Sequence, residues 1–290
     1  MEFAREFPDD SACLDYIWRT RFAEDGHHTH CPACDRTRKF HRVKDRPAYD
    51  CDSCGHHLHP LAGTIFQKSS TSLHLWFYAM YLMSVTRCGV SAKQIERELG
   101  VTYKTAWRML NLIRNQLMHD DGQGGLLRGE VEIDETYVGG KPRASRTYTH
   151  GGRPSLDSHK TPVFGMVERG GRVRATVVPN VQSSTLVPRI REHVLPLTMV
   201  YTDEYVVYNQ MPGSYTHRRI PHAEKVYVDG DVHTQTIEGF FSLVKNGIRG
   251  TYHSVSRKWL QGYLNEYAWR YNRRDDRRAM FHTLLFRAAT

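Results

Sequence analysis

The sequence predicts a mixed α/β protein in three parts: a cysteine-rich ribbon, a helical module and a larger α/β domain. Three observations carry that division. Two C-x-x-C pairs, Cys31/Cys34 and Cys51/Cys54, stand sixteen residues apart near the start. Residues 61–118 turn to dense apolar runs at helical spacing, punctuated by glycine. From Glu130 a period-two alternation begins, with Glu130, Glu132 and Asp134 on one face of a strand and Val131 and Ile133 on the other. The expected domains are 1–60, 61–122 and 123–290.

A chain of 290 residues has room for a catalytic-size domain and small modules beside it. Its 40 Lys and Arg exceed 31 Asp and Glu by nine, and such a field attracts polyanions. Nucleic acid is the first candidate partner and an anionic membrane surface the second. The longest apolar run, Leu75 to Met83, is far short of the roughly 20 residues that span a bilayer. Met1 to Glu6 does not read as a signal peptide. A soluble, cytoplasmic protein without a membrane partner is therefore expected. Thiols stay reduced there, so the paired cysteines read as metal ligands rather than disulfides.

In the ribbon, Cys31, Cys34, Cys51 and Cys54 have the spacing of a tetrahedral structural zinc site, which holds together a piece too small to fold on its own core. A thioredoxin-like redox role is the alternative. His27, His28, His30, His56, His57 and His59 flank the knuckles, though the spacing needs none of them. Lys39, His41, Arg42, Lys44 and Arg46 lie where a hairpin joins the pairs, either against phosphate or on a solvated edge. Cys13 and Cys88 lack a partner pattern and are expected as small buried apolar thiols.

The helical module begins with a buried helix through Leu73, Trp76, Phe77, Met80 and Met83, ended by Gly89. Ser91 with Gln94 three residues on is a capping-box start for a helix that runs to Leu99 and stops at Gly100. Thr102 starts a second helix carrying Ala106, Trp107, Leu110 and Ile113. Helix, glycine turn, helix is the helix-turn-helix pattern, with Lys104 and Arg108 on the face offered to a DNA groove. A plain helical connector is the competing reading.

In the α/β domain, acids crowded on one face of a strand repel one another, a poor packing choice but a sensible one around a divalent cation. A solvated edge strand is the bland alternative. Beyond it, the stretch from Gly139 to Lys160 carries Lys141, Arg143 and Arg146, suited to a phosphate backbone if it is not simply a surface insertion. Pro162–Glu168 and Val173–Val178 read as strands joined at Gly170-Gly171. Helical spacing follows from Ser183 to Val194, and an apolar strand then leads into Asp203, where open α/β sheets place their sites. A three-strand meander, a helix and a strand ending in Asp is the order of a ribonuclease H-like domain. Ile237, Phe240, Phe241 and Val244 then mark an amphipathic helix with Glu238 near its start and Lys245 two turns on. Glu238 is placed either to complete a metal site or merely to favour the helix dipole. Tyr263, Tyr267 and Tyr271 make a stripe in the helical tail, read as core packing rather than a base-stacking surface.

Glu132-Ile133-Asp134-Glu135-Thr136-Tyr137-Val138-Gly139-Gly140-Lys141, the Thr202-Asp203-Glu204 segment, and Thr236-Ile237-Glu238-Gly239-Phe240 through Lys245 and Arg249 to Tyr252 together resemble the ISXO-type insertion-sequence transposases. The zinc ribbon and the Ala106–Leu110 helix extend the resemblance over most of the chain, roughly from Cys31 to Asn272. It implies a ribonuclease H-like domain, preceded by a zinc ribbon and a helix-turn-helix, that cuts and rejoins double-stranded DNA at terminal inverted repeats. Asp134, Asp203 and Glu238 match the acidic triad, with 34 residues between the last two. Some members use an Asn upstream of the Thr-Ile-Glu segment, where this chain has Gln235. An amide oxygen can ligate magnesium, but a carboxylate binds it more strongly, which favours Glu238.

On this reading Asp134 bridges two Mg2+ or Mn2+ ions, Asp203 and Glu238 hold one each, and Zn2+ stays in the ribbon. Glu132 is left as a supporting or structural carboxylate, and Glu135 points the other way. Lys104, Arg108, Lys141, Arg143, Arg146, Lys245 and Arg249 are the expected DNA contacts. Joining two ends calls for at least a homodimer working at the nucleoid. Two rivals remain: a non-catalytic, domesticated DNA-binding regulator with an inert ribonuclease H-like domain, and a nuclease that cuts without rejoining.

Overall fold

The structure, a computed structural model, describes every residue except 1, 87, 121, 123, 140–159, 221–232 and 277–278. It divides into two compact units, residues 1–117 with 276–290, and residues 118–275.

The first unit opens with α1 (Glu2–Glu6) and α2 (Asp10–Arg21), the latter capped by Asp9, whose side chain accepts from the Ala12 N–H. A four-stranded antiparallel ribbon follows: β1 (His28–Cys31), β2 (Arg36–Arg42), β3 (Tyr49–Cys51) and β4 (His57–Leu58), paired in that order. Its small apolar face is completed by Trp18 of α2, which stacks on Tyr49 at 4.0 Å between ring centroids, meets Phe40, and donates its indole N–H to the Gly26 carbonyl. Lys39, His41, Arg42, Lys44 and Arg46 are placed on this ribbon, its β2 strand and the turn after it.

The helix α3 (Leu73–Val85) buries Trp76, Phe77, Met80 and Met83 and ends four residues before Gly89. The capping expectations hold in detail for the next pair. In α4 (Ala92–Leu99) the Ser91 hydroxyl accepts from the Gln94 N–H at 3.1 Å, and Gly100 closes the helix in the left-handed region at φ 65°. In α5 (Tyr103–Leu112) Thr102 accepts from the Thr105 N–H at 3.3 Å. Cys13 is fully buried, and burial pushes its thiol pKa up to about 12. Cys88, expected in the core, is exposed instead: it sits in the turn after α3, where no apolar period holds it inward.

The second unit is a five-stranded sheet with helices on both faces. The meander β5 (Glu130–Val138), β6 (Thr161–Glu168) and β7 (Val173–Val177) is antiparallel, turning between β6 and β7 through Gly170 at φ 69°. Next come α6 (Ser183–His193) and β8 (Met199–Asp203), which lies parallel to β5, and then β9 (Thr216–Ile220), parallel to β8. The spatial order is β7-β6-β5-β8-β9. The sequence does not foretell β9, because Thr-His-Arg-Arg-Ile lacks the apolar alternation of a strand; at the edge of a sheet its arginines remain exposed.

One face of the sheet packs Val131, Ile133, Phe164, Met166 and Val200 against Leu186 and Ile190 of α6. The other packs Val138, Val163, Val167 and Val173 against Ile237, Phe240, Phe241 and Val244 of α7 (Gln235–Gly247) and Leu260, Leu264 and Tyr267 of α8 (Leu260–Asn272). Tyr267 is thus core, as the stripe suggests. Gly165 of β6, the register partner of Asp134, lets α7 come close. A Cβ there would stand 2.7 Å from Phe241 Cζ and 2.8 Å from Ile237 Cδ1.

The last helix, α9 (Met280–Ala289), belongs to the first unit rather than to the sheet domain that it follows in sequence and with which the expected boundaries group it. The reason lies in its apolar side: Phe281 packs edge-on against Phe3, Phe7 and Tyr81. No helix among the described residues is long and apolar enough to cross a membrane.

Candidate active site and zinc centre

Each ribbon knuckle is a strand end followed by a tight turn. Cys31 ends β1 and Cys51 ends β3, and their carbonyls accept from the N–H of Asp35 and Gly55, both in the left-handed region. That turn swings Cys34 and Cys54 back beside them. The Sγ atoms of Cys31 and Cys54 are 3.7 Å apart, those of Cys34 and Cys51 3.9 Å, and all four lie within 4.8 Å of one another. Zinc–sulfur bonds of ~2.3 Å in a tetrahedron separate the sulfurs by about 3.8 Å, so the donor set fits zinc. Burial works to raise the Cys31 thiol pKa, but the N–H groups of Cys34 and Ala33 and the neighbouring thiols bring it to about 7. At Cys54 the His56 N–H is outweighed by the neighbouring thiols and burial, which push that thiol up to about 12; the crowded sulfurs share protons until a metal displaces them.

In the second unit, Asp134 sits in the middle of β5 on the face toward α7, two residues from Glu132 and four from Val138 on the same side. Glu132 is the register partner of Tyr201 on the parallel β8, so Asp203, two residues on, lies on the same face beside Asp134. Glu238 is in the first turn of α7 and exposed; its carboxylate accepts from the Thr234 hydroxyl at 3.1 Å. Asp203 and Glu238 both lie within electrostatic reach of Asp134. Burial raises the Asp134 pKa well above the ordinary carboxylate value, and the charges of Glu135, Asp203 and Glu238 raise it further, against the N–H of Glu135 at 2.7 Å. A carboxylate held against its own ionisation by burial and by other carboxylates fits a hard divalent cation, and an oxygen-only set suits Mg2+ or Mn2+. These acids are more widely spread than the thiols: among the described residues, only the four cysteines bring three or more ligand atoms within 4.8 Å.

The neighbours of these acids are themselves fixed. Asp203 accepts from the Tyr205 N–H at 3.0 Å. The preceding Thr202 is fully buried, donates to the Asp203 carbonyl, and lies 2.8 Å from His217 Nε2. Burial, with help from Arg219, lowers the His217 pKa to about 4, so this ring is neutral near pH 7. Glu135 points to the opposite face, as alternation requires, and receives the hydroxyl of the fully buried Tyr208 at 2.6 Å. Lys245 is half-buried on α7. Burial lowers its pKa while the Asp134 charge opposes that shift, which places the ammonium within electrostatic reach of the acid.

Glu132, expected as a supporting or structural carboxylate, ties the strand to α7. It is fully buried and receives the N–H groups of Thr236 at 2.8 Å and Ile237 at 3.1 Å, the Thr236 hydroxyl at 2.9 Å and Arg169 Nε at 2.8 Å. Neither Arg169 nor these bonds is visible in the sequence, where the partners lie tens of residues apart; an acid within a strand is the only signal.

Of the expected DNA contacts, Lys104 and Arg108 stand on α5, four residues and so one turn apart, and Arg249 is exposed just beyond α7. Lys141, Arg143 and Arg146 lie outside the described residues. Gln235 opens α7 and is exposed, three residues before Glu238.

Comparison with known proteins matches residues 126–272 to the ISXO2-like transposase domain and residues 8–57 to a transposase zinc-ribbon domain. A Halobacterium salinarum protein described as an uncharacterized protein in transposable element ISH50 is 28% identical over 255 residues, 82% of this chain and 83% of that protein. An uncharacterized transposase-like protein of Haemophilus influenzae is 34% identical over 102 residues, 35% of this chain and 81% of that one. Among solved structures, a pre-cleavage Mos1 transpososome matches 73% of this chain and 76% of its own at 13% identity, with a TM-score of 0.25.

Proposed function

This chain belongs to the family of ISXO2-like transposases, and from that premise we propose that it is an active enzyme that binds the terminal inverted repeats of an insertion sequence and catalyses strand cleavage and strand transfer. The observation that carries the proposal is geometric: the register of β5 with β8 sets Asp134 and Asp203 side by side on one face of the sheet, and α7, which packs on that face, has Glu238 in its first turn. Sheet order and the antiparallel meander followed by parallel β8 support a ribonuclease H-like catalytic domain.

Asp134, Asp203 and Glu238 would hold the divalent cations. Bound there, such ions supply Lewis acidity to the attacking oxygen, first of water and then of a DNA 3′-hydroxyl, and to the leaving oxygen. The protein does the rest by position. Asp203 is held by the Tyr205 N–H, Glu238 by Thr234, and Asp134 by the Glu135 N–H, so each carboxylate starts from a fixed place from which a cation would draw the three together. Lys245, half-buried and within electrostatic reach of Asp134, pairs with the phosphate next to the scissile bond. The α4–turn–α5 pair serves as a helix-turn-helix, with Lys104 and Arg108 on DNA, and the zinc ribbon contributes to end recognition. A homodimer or larger assembly brings two ends together.

The test is a strand-transfer assay with labelled terminal-repeat duplexes in magnesium, run on wild type, Glu238→Gln and Gln235→Ala. Cleaved and joined products from wild type and from Gln235→Ala, with none from Glu238→Gln, are expected. Normal joining by Glu238→Gln would move the third ligand to Gln235, cleavage without joining would leave a nuclease, and no cleavage by wild type would leave the DNA-binding regulator.

A further inference from the structure

We propose that Glu132 and Arg169 are positioning residues: together they form a buried clamp that sets Glu238 against Asp134 and Asp203, and so determines how tightly the acidic site holds a divalent cation. This rests on the metal site proposed above. The clamp starts from an unmet need of α7. A helix leaves its first N–H groups without partners, and here Thr234, the residue preceding the helix, makes no side-chain cap bond to them. Glu132 meets the need from another element. Its carboxylate reaches across from β5 and takes the N–H groups of Thr236 and Ile237 together with the Thr236 hydroxyl.

Such an anion is welcome at a helix N-terminus, but Glu132 is fully buried, and a buried charge requires a counter-charge. Arg169, in the β6–β7 turn, supplies it and ties in further parts of the site. Nε donates to Glu132, one terminal nitrogen donates to Glu130 at 2.7 Å, and the other donates to the His233 carbonyl at 2.9 Å, just ahead of α7. Its guanidinium lies 4.1 Å from the ring centroid of Tyr201, two residues before Asp203. The strand of Asp134, the strand of Asp203 and the helix of Glu238 thus meet at one ion pair. Each proposed ligand is two residues from a clamped one on both strands, and Glu238 is one or two residues from the clamped N–H groups on the helix.

Buried ion pairs add little net stability, because desolvation offsets their attraction. Their contribution here is geometric. Holding a helix turn at a fixed distance from a strand matters most when both carry ligands for the same ion, and residues that orient metal ligands typically alter metal affinity by about 10- to 100-fold when removed.

The experiment uses the full chain with its zinc in place and measures Mn2+ binding by electron paramagnetic resonance of free Mn2+, alongside zinc content and thermal unfolding. Glu132→Gln keeps the shape and one acceptor oxygen but removes the charge. Arg169→Lys keeps the charge but cannot donate to Glu132, Glu130 and His233 at once. Glu130→Gln removes only the half-exposed partner of Arg169. The expected result is Mn2+ affinity lowered about tenfold or more in Glu132→Gln, lowered less in Arg169→Lys, and near wild type in Glu130→Gln, with zinc content unchanged throughout. Should Glu132→Gln fail to fold, the comparison of Arg169→Lys with Glu130→Gln decides. Wild-type Mn2+ affinity in the folded clamp variants, whatever their melting temperature, would reduce the clamp to a packing role and overturn the proposal. A wild-type chain that binds no Mn2+ would overturn the metal site itself, and the clamp's function with it.

Discussion

Neutralising Asp134 should make the magnesium-free protein more stable, and more so the higher the pH. Burial and the three neighbouring carboxylates raise the folded-state pKa of Asp134 well above its ordinary value. In the unfolded chain the same group titrates near its ordinary ~3.9. Between those two values the folded state binds a proton that the unfolded state has lost, so stability falls as pH rises through the window, by up to about 1.4 kcal/mol per pH unit for one proton. Below the window Asp134 contributes nothing; above the folded pKa the penalty is complete. Asp134→Asn keeps an oxygen that can accept the Glu135 N–H, now at 2.7 Å, and removes the charge. The assay is native-state hydrogen exchange of peptides covering β5 in the full chain, from pH 5 to pH 8, in buffer free of magnesium and of chelator so that zinc is kept. The variant should be more protected than wild type by a margin that grows with pH, and added magnesium should narrow the gap by stabilising only wild type. Equal pH slopes in the two proteins, or a variant less stable at pH 8, would refute the crowding of the acids.

Other outcomes follow from the same geometry. Cys51→Ser should release the zinc and abolish hydrogen-exchange protection across β1–β4, measured against bound-metal content, because four thiols and a thin apolar face hold that ribbon. Gly165→Ala should cost about 1–3 kcal/mol in urea unfolding, since its methyl would press into Phe241 and Ile237 at less than 3 Å. Lys104→Ala and Arg108→Ala should each weaken binding to terminal-repeat and scrambled duplexes, and the log–log salt slope of the anisotropy isotherm should become shallower by about 0.9 for every phosphate that is no longer neutralised.

What the sequence disclosed and what it withheld divide along the range of the interaction. Caps at Ser91 and Thr102, the stop at Gly100, the knuckle spacing and the alternation that puts Asp134 opposite Glu135 are local chemistry, and each is where the pattern places it. The end of β8 at Asp203 is legible for the same reason. The clamp is not, because Glu132 meets Thr236 across 104 residues and no local period encodes that meeting. Gly165 looks like any residue of an apolar run until α7 is packed over it. The edge strand β9 escapes because its exposed arginines mimic a polar loop, and α9 groups by sequence with its neighbours although its Phe281 packs on Phe3 and Phe7 from the other end of the chain.

On the proposed function, one carboxylate, Asp134, anchors the chemistry of a DNA-joining enzyme. The most direct measurement is single-turnover cleavage of a labelled terminal-repeat duplex in magnesium by wild type and Asp134→Asn, with DNA binding measured on the same preparations. The prediction is equal DNA affinity, cleavage by wild type, and none by the variant. Cleavage by Asp134→Asn at the wild-type rate would contradict it.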